Sequence, residues 1–154
     1  MYQLMQRPRL ASAMSHRNQR GSGRDSPVDL STRILIVDSD RGVGTSLTFM
    51  LSARGYDEVR SVRSPRRAVS LAQLYRPALV FMDYDLPDPG SLEVASQLRK
   101  GAQQHAMRLI ALTTDSEHER REEARAAGFE RYLTKPLSQL ELDKILRIHA
   151  EPLL

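Results

Sequence analysis

From Arg33 to His149, short apolar runs rich in β-branched residues alternate with stretches whose apolar residues recur every three or four positions, and the alternation repeats five times. Ile34 to Val37 is wholly apolar, as expected for a strand covered on both faces of a parallel sheet. The spacing then predicts a helix from Val43 to Arg54, with Leu47, Met50 and Leu51 on one side and Gly55 placed to end it. Val59 to Val62 is a second, weaker strand. Ser64-Pro65 opens a helix in the favoured cap and first-turn order, with Ala68, Val69, Leu71, Ala72 and Leu74 as the inward stripe and Pro77 as the stop. Ala78 to Met82 is the third strand, Asp83 to Ser91 a loop, and Leu92 to Leu98 a third helix. Leu109 to Leu112 gives a fourth strand. Ser116 with Glu119 has capping-box spacing for a fourth helix ending near Gly128. Phe129 to Leu133 is the fifth strand, and Ser138 with Glu141 repeats the capping box before a last helix that turns Leu140, Ile145 and Leu146 inward.

Five βα units in a row imply an α/β fold with right-handed crossovers, a parallel sheet and helices on both faces. The expected arrangement is flavodoxin-like, a five-stranded sheet in the order 2-1-3-4-5, whose ligands bind at the carboxyl ends of the strands. The 154 residues, 40% of them apolar, suffice for one domain, set at residues 32–150. Residues 1–31 read as a flexible basic tail and 151–154 as a short C-terminal tail. The leading segment is rich in Arg, Ser, Gly, Gln and Asn, and burial there does not return the entropy that ordering costs. Its Leu4, Met5, Leu10 and Met14 allow a short helix induced by a partner, set against a plain disordered leader.

The absence of cysteine excludes disulfides, thiol catalysis and cysteine metal sites, and His16, His105, His118 and His149 lack ligand spacing. No apolar stretch is long enough to span a membrane, and a cytoplasmic setting is expected. The net charge is +4, of which residues 1–31 supply +3, so a nucleic-acid role for the folded part is not expected from charge. The arginines of the tail allow weak backbone attraction, with only Tyr2 available for stacking.

Four predicted strand ends carry polar groups to one edge of the sheet: Asp38 and Asp40 after the first, Asp83 and Asp85 after the third, Thr113 after the fourth, Lys135 after the fifth. In the 2-1-3-4-5 order the first and third strands are neighbours, which sets Asp38 beside Asp83. Clustered carboxylates repel unless a cation lies between them, and oxygen ligands in a shallow crevice suit Mg²⁺; Asp38, Asp83 and Asp85 are the candidate ligands. Lys135 supplies a point charge and Thr113 a hydroxyl for an incoming anionic oxygen, while an Asp carboxylate is an established nucleophile for phosphoryl groups. The chemistry inferred is an aspartyl phosphate on Asp83.

The segments Ile34-Leu35-Ile36-Val37-Asp38, Leu79-Val80-Phe81-Met82-Asp83-Tyr84-Asp85-Leu86-Pro87, Ile110-Ala111-Leu112-Thr113 and Ala127-Gly128-Phe129-Glu130-Arg131-Tyr132-Leu133-Thr134-Lys135-Pro136 resemble, in order and spacing, a response-regulator receiver domain of two-component signalling. The resemblance covers Arg33 to about His149 and points to the single-domain type. It implies that Asp83 takes phosphate from the phosphohistidine of a histidine kinase or histidine phosphotransfer protein, and that Thr113 and Lys135 hold the phosphoryl group. It further implies a cis Lys135-Pro136 bond. Tyr132 and Thr113 would act together as a switch that changes the surface made by the fourth helix, fifth strand and fifth helix. Through that surface an unknown output protein is engaged, and self-pairing into a homodimer stays open. The chain is then a relay rather than an enzyme.

One position departs from the resemblance. The family usually has two adjacent acids after the first strand, the second a direct Mg²⁺ ligand, and here that residue is Ser39, which removes a full charge from the metal site. Asp40, one residue on, could swing in to compensate but is not expected to, because one residue's shift at a strand end turns the side chain away, and Asp40 or Ser39 equally suits the cap of the first helix. The alternative reading is therefore a receiver-like interaction module that works without phosphorylation. Asp85 and Asp115 each have a plain role, loop solvation and helix capping, beside a tuning one, and the charges of Glu117 to Arg125 suit both a solvated face and a partner-facing one. A third reading, from the Asp83-Tyr84-Asp85 resemblance to haloacid-dehalogenase-type phosphatases, fails because that motif belongs on a first strand and no acidic pair follows Lys135.

Overall fold

The computed structural model describes residues 29–87, 89–102, 106–114 and 121–150. The elements are β1 (Ile34–Val37), α1 (Arg41–Ser52), β2 (Val59–Val62), α2 (Pro65–Tyr75), β3 (Leu79–Asp83), α3 (Ser91–Gly101), β4 (Arg108–Thr113), α4 (Arg121–Ala127), β5 (Phe129–Thr134) and α5 (Gln139–Ala150). The strands form one sheet in the order β2-β1-β3-β4-β5, with every neighbouring pair parallel. Both the order and the parallel pairing match the expectation.

Because β1, β3 and β4 are buried at every residue, alternate side chains feed two cores. Leu35, Val37, Val80, Met82, Leu109 and Ala111 pack under α2, α3 and α4, whose contributions include Ala68, Ala72, Val94, Leu98 and Ala124. On the other face Ile34, Ile36, Leu79, Phe81, Ile110 and Leu112 meet Leu47 and Leu51 of α1 and Leu142, Ile145 and Leu146 of α5. Each of the large side chains buried in these layers is worth about 1.5–3 kcal/mol relative to exposure. The sheet edge that carries the polar residues is thereby held between two rigid layers.

Two inward positions expected from spacing are corrected. Leu74 is 87% exposed, because the buried stripe of α2 runs through Pro65, Ala68, Ala72 and Tyr75, and Tyr75 takes the inward place with its hydroxyl donating to the Glu58 carbonyl. Leu140 is 61% exposed, since Leu142, two positions on and on the opposite side of the helix, is the residue that packs. Helix α1 starts two residues earlier than expected, with Asp40 as its N-cap. The capping box of α5 forms as expected, Glu141 N donating to Ser138 Oγ at 3.1 Å and Ser138 N to Glu141 Oε2 at 3.5 Å.

Strand β4 begins at Arg108, one residue before the apolar run, and the Arg108 side chain is nearly buried. The β4–β5 register slips between Leu109 and Ile110, leaving Glu130 as the extra residue on β5. Its carboxylate lies 3.7 Å from Arg99 Nη2 and 3.8 Å from Arg108 Nη1, so the bulge is charge-matched. Arg99 also donates to the carbonyls of Met107 and Gly128, and Gly128, at φ 105°, leaves the space this side chain fills.

Within the predicted leading tail, Asp29 to Ser31 forms a turn in which Asp29 Oδ1 accepts from Ser31 N at 3.0 Å and Ser31 Oγ at 2.6 Å. Residues 1–28 and 151–154, and with them the tail expectations, lie outside the described residues, as do Asp115, the Ser116–Glu119 box and the start of the fourth helix. Among the described residues no helix is long and apolar enough to cross a membrane.

Candidate functional site

The register explains how the polar side chains meet. Val37 pairs with Met82, so Asp38 and Asp83 leave neighbouring strands side by side; Thr113 pairs with Thr134, which puts Lys135 beside Thr113. Lys135 N donates to the Thr113 carbonyl at 2.6 Å, and the Lys135-Pro136 peptide is cis, as the resemblance implied. Four segments spread along the chain thus converge at the carboxyl edge of the sheet.

Lys135 Nζ lies 2.7 Å from Asp38 Oδ2 and 3.4 Å from Asp83 Oδ1. Asp38 Oδ1 accepts from Asp40 N at 2.9 Å, while Asp83 Oδ1 accepts from Asp85 N at 3.0 Å. Asp38, Asp83 and Thr113 are all buried, at 1%, 6% and 2% exposure, so their charge and polarity are concentrated in a region with little water. Burial pushes the Asp38 carboxyl above its ordinary range, against the opposing pull of Lys135 and the Asp40 amide. Burial also works against the Lys135 ammonium, but the two carboxylates outweigh it and hold Lys135 above its ordinary range. Lys135 is therefore a fixed cation at physiological pH.

Asp38 Oδ2 is buried, and its close partner is the Lys135 ammonium at 2.7 Å. Two buried carboxylates side by side at neighbouring strand ends form a hard oxygen donor set with more negative charge than one ammonium offsets, which suits a hard cation. Asp38 and Asp83 therefore fit Mg²⁺ as oxygen donors. Asp85 differs from expectation in what it presents: its amide reaches Asp83 while its side chain is exposed, and no group of three His, Cys, Asp or Glu residues gathers as a ligand cluster among the described residues. Ser39 occupies the place of the missing acid, its carbonyl accepting from Arg63 Nε at 3.0 Å. Asp40 does not compensate, because its carboxylate caps α1 by accepting from Gly42 N at 2.7 Å.

Spacing did not single out Tyr84. Buried directly after Asp83, its ring stands 5.4 Å from Tyr132 and 6.1 Å from Phe129, linking the loop that follows β3 to β5. Tyr84 N donates to the Leu112 carbonyl at 2.7 Å, and Ser91 Oγ donates to the Tyr84 carbonyl, so the loop is fastened from both sides. Tyr132 is half-buried and packs against the core under α2–α4. The sequence signal for Tyr84 was only its position beside an acid in a strand-end motif, too weak without the pairing of β3 with β4 and of β4 with β5.

An open pocket of 250 Å³, lined in part by Val43, Met50, Leu112, Lys135 and Leu137, lies between α1 and the segment after β5. A second opening of 410 Å³ lies beyond Tyr84, bordered by Asp85, Leu86, Leu92 and Glu123. Lys135 on one side and the loop after Asp83 on the other thus border openings to solvent.

Comparison with known proteins agrees with this geometry. The family described as the response regulator receiver domain matches residues 34–147. The transcriptional regulatory protein PdtaR of Mycobacterium tuberculosis is 32% identical over 122 residues, which cover 79% of this chain and 58% of that protein. The polar-differentiation response regulator DivK of Brucella anthropi is 34% identical over 89 residues, covering 58% of this chain and 72% of the other. The chain thus spans less than two thirds of the length of PdtaR. Among solved structures, the chemotaxis protein CheY4 of Vibrio cholerae superposes with a TM-score of 0.70 at 26% identity, over 76% of this chain and 97% of that one. The receiver domain of Ssk1 from Saccharomyces cerevisiae, crystallised with the histidine phosphotransfer protein Ypd1, shares the fold with a TM-score of 0.68 at 24% identity, over 75% of this chain and 86% of that one.

Proposed function

Since this chain belongs to the response regulator receiver domain family, we propose that it is a phosphoacceptor of a two-component relay, taking a phosphoryl group on Asp83 from a histidine kinase or histidine phosphotransfer protein. The observation that carries the reading is the convergence on Lys135 Nζ of Asp38 at 2.7 Å and Asp83 at 3.4 Å, with the buried Thr113 on the adjoining strand.

In this reading Asp83 provides the attacking oxygen. The phosphoryl group leaves a phosphohistidine nitrogen, which regains a proton, and a new P–O bond forms to the Asp83 carboxylate. Lys135 neutralises a phosphoryl oxygen and Thr113 donates its hydroxyl to another; both are prearranged, so little reorganisation is needed when charge moves. Asp38 and Asp83 would hold Mg²⁺, which when bound supplies charge neutralisation to the transferred group. Asp38 also positions Lys135. Tyr132, coupled to the loop after Asp83 through the Tyr84 ring, would change its surroundings with Thr113 and alter the α4–β5–α5 surface that an output protein reads. The chain acts as a switch rather than a turnover catalyst, in a cytoplasmic setting.

Mass spectrometry after incubation with acetyl phosphate, with and without Mg²⁺, tests the proposal: one added phosphoryl group mapping to Asp83, absent in Asp83→Asn, is expected. No gain under either condition, with a gain appearing in Ser39→Asp, would instead favour the second reading, an interaction module that works unphosphorylated. That reading draws on Ser39 and on a Lys135 ammonium that already neutralises Asp38.

A further inference from the structure

Charge is the least evenly distributed property of this surface. Residues 29–154 carry equal numbers of basic and acidic side chains, yet Val59 to Arg76 holds Arg60, Arg63, Arg66, Arg67 and Arg76 with no acid at all. The rest of residues 29–154 is therefore at −5. A near-zero average, which argued against nucleic acid at the level of sequence, conceals a strongly cationic edge.

The segment is β2, which borders the sheet, and α2 behind it. All five arginines are exposed, and among the described residues none forms an ion pair with a carboxylate. Their contacts are with neutral groups: Arg63 Nε donates to the Ser39 carbonyl, and the Arg60 guanidinium lies 5.0 Å over the Tyr75 ring. Arg33 Nε donates to the Arg76 carbonyl at 3.3 Å, which adds a sixth exposed arginine at the amino end of the strip. Guarding the edge strand against unwanted pairing accounts for Arg60. It does not account for Arg66 and Arg67, which occupy the first turn of α2, where the helix dipole disfavours cations and no acid is present. A local rule broken twice without a local partner points to an external one.

The chemistry of that partner follows from the side chains. The strip is all arginine, whose planar fork matches phosphate oxygens bidentately. Tyr56 and Tyr75, which flank β2 and close α2, are buried, so neither offers bases a stacking platform. The chain before Asp29, with Arg7, Arg9, Arg17, Arg20 and Arg24 against Asp25 alone, joins the domain four residues before Arg33 and extends the same sign of charge. We propose that the β2–α2 edge binds the phosphodiester backbone of a nucleic acid through Arg60, Arg63, Arg66, Arg67 and Arg76, without reading base sequence. The surface does not include Asp83, so the assignment is independent of phosphoryl transfer.

The test uses the full chain and a fluorescein-labelled, mixed-sequence RNA of roughly 20 nucleotides, with anisotropy followed from about 50 to about 200 mM NaCl. The Arg60→Gln, Arg63→Gln, Arg66→Gln, Arg67→Gln variant should bind at least about tenfold more weakly at low salt and lose about 2 to 3 from the slope of log K against log salt. A control with Arg125, Arg131, Lys144 and Arg147 each changed to Gln removes the same charge from the opposite, β5 edge of the sheet and its flanking helices and should change affinity by less than about threefold. Equal losses in the two variants, or no binding by the wild type at about 50 mM salt, overturns the proposal. So does displacement of the RNA by polyglutamate of matched charge, which would assign the edge to an acidic protein segment.

Discussion

Lys135 stands closer to Asp38, at 2.7 Å, than to Asp83, at 3.4 Å, so the ammonium is committed first to Asp38 and not to the proposed phosphoacceptor. Asp83 is thereby neutralised in part while one of its oxygens is held by the Asp85 amide. Removing the lysine leaves Asp38 as a buried charge without a counter-ion. Lys135→Ala should cost about 3 kcal/mol in urea unfolding, and the double variant Lys135→Ala, Asp38→Asn should recover most of that loss. If the single variant is as stable as wild type, the pairing has little energetic weight.

Ser39 stands where the family resemblance places a metal-binding acid, and the proposed Mg²⁺ site is expected to be weakened by it. Restoring a carboxylate in Ser39→Asp adds a full charge beside Asp38, and Mg²⁺ binding measured by calorimetry should tighten by at least about tenfold, or about 1.4 kcal/mol. Phosphorylation by acetyl phosphate should accelerate in parallel. Unchanged affinity would mean that the side chain at this position does not face the cation.

His149 makes folding sensitive to mild acid. Burial, aided by the nearby Arg108 charge, holds the imidazole below its ordinary value of 6.5, and its Nδ1 is buried without a hydrogen-bond partner. The unfolded chain therefore binds a proton more readily than the folded one, and stability falls as pH drops below the unfolded value toward the folded one. The melting temperature should decline from pH 7.5 to pH 5 in the wild type and decline less in His149→Gln. Parallel curves would show that the imidazole titrates alike in both states.

The two leucines near the start of α5 should behave oppositely. Leu142 is fully buried and Leu140 largely exposed, so Leu142→Ala should cost about 2–5 kcal/mol and Leu140→Ala less than about 0.5 kcal/mol in chemical denaturation.

The same pair marks where sequence reasoning succeeds and where it stops. Periodicity identifies α5 as amphipathic, and Leu142, three and four positions before Ile145 and Leu146, shares their face while Leu140 does not, so the spacing itself held the answer that the expectation missed. Leu74 differs, since spacing suits both it and Tyr75, and only the packing against the sheet, with the Tyr75 hydroxyl reaching the Glu58 carbonyl, selects Tyr75. The strand order and the meeting of Asp38, Asp83, Thr113 and Lys135 were legible because buried parallel strands are continuous apolar runs whose last residues mark the ligand edge. Tyr84 and the buried Arg108 were not, because each depends on contacts across strands that are remote in sequence. The arginine edge was lost to averaging, since a net charge discards position.

Asp38 lies at the first strand and its counter-ion near the last, with almost the whole domain threaded between them. During synthesis the carboxylate emerges long before the lysine that offsets it, and the cluster cannot be assembled from a fragment or a half-finished sheet. On the proposed function, readiness to receive phosphate would report completion of the fold, and truncated products are expected to be silent rather than weakly active.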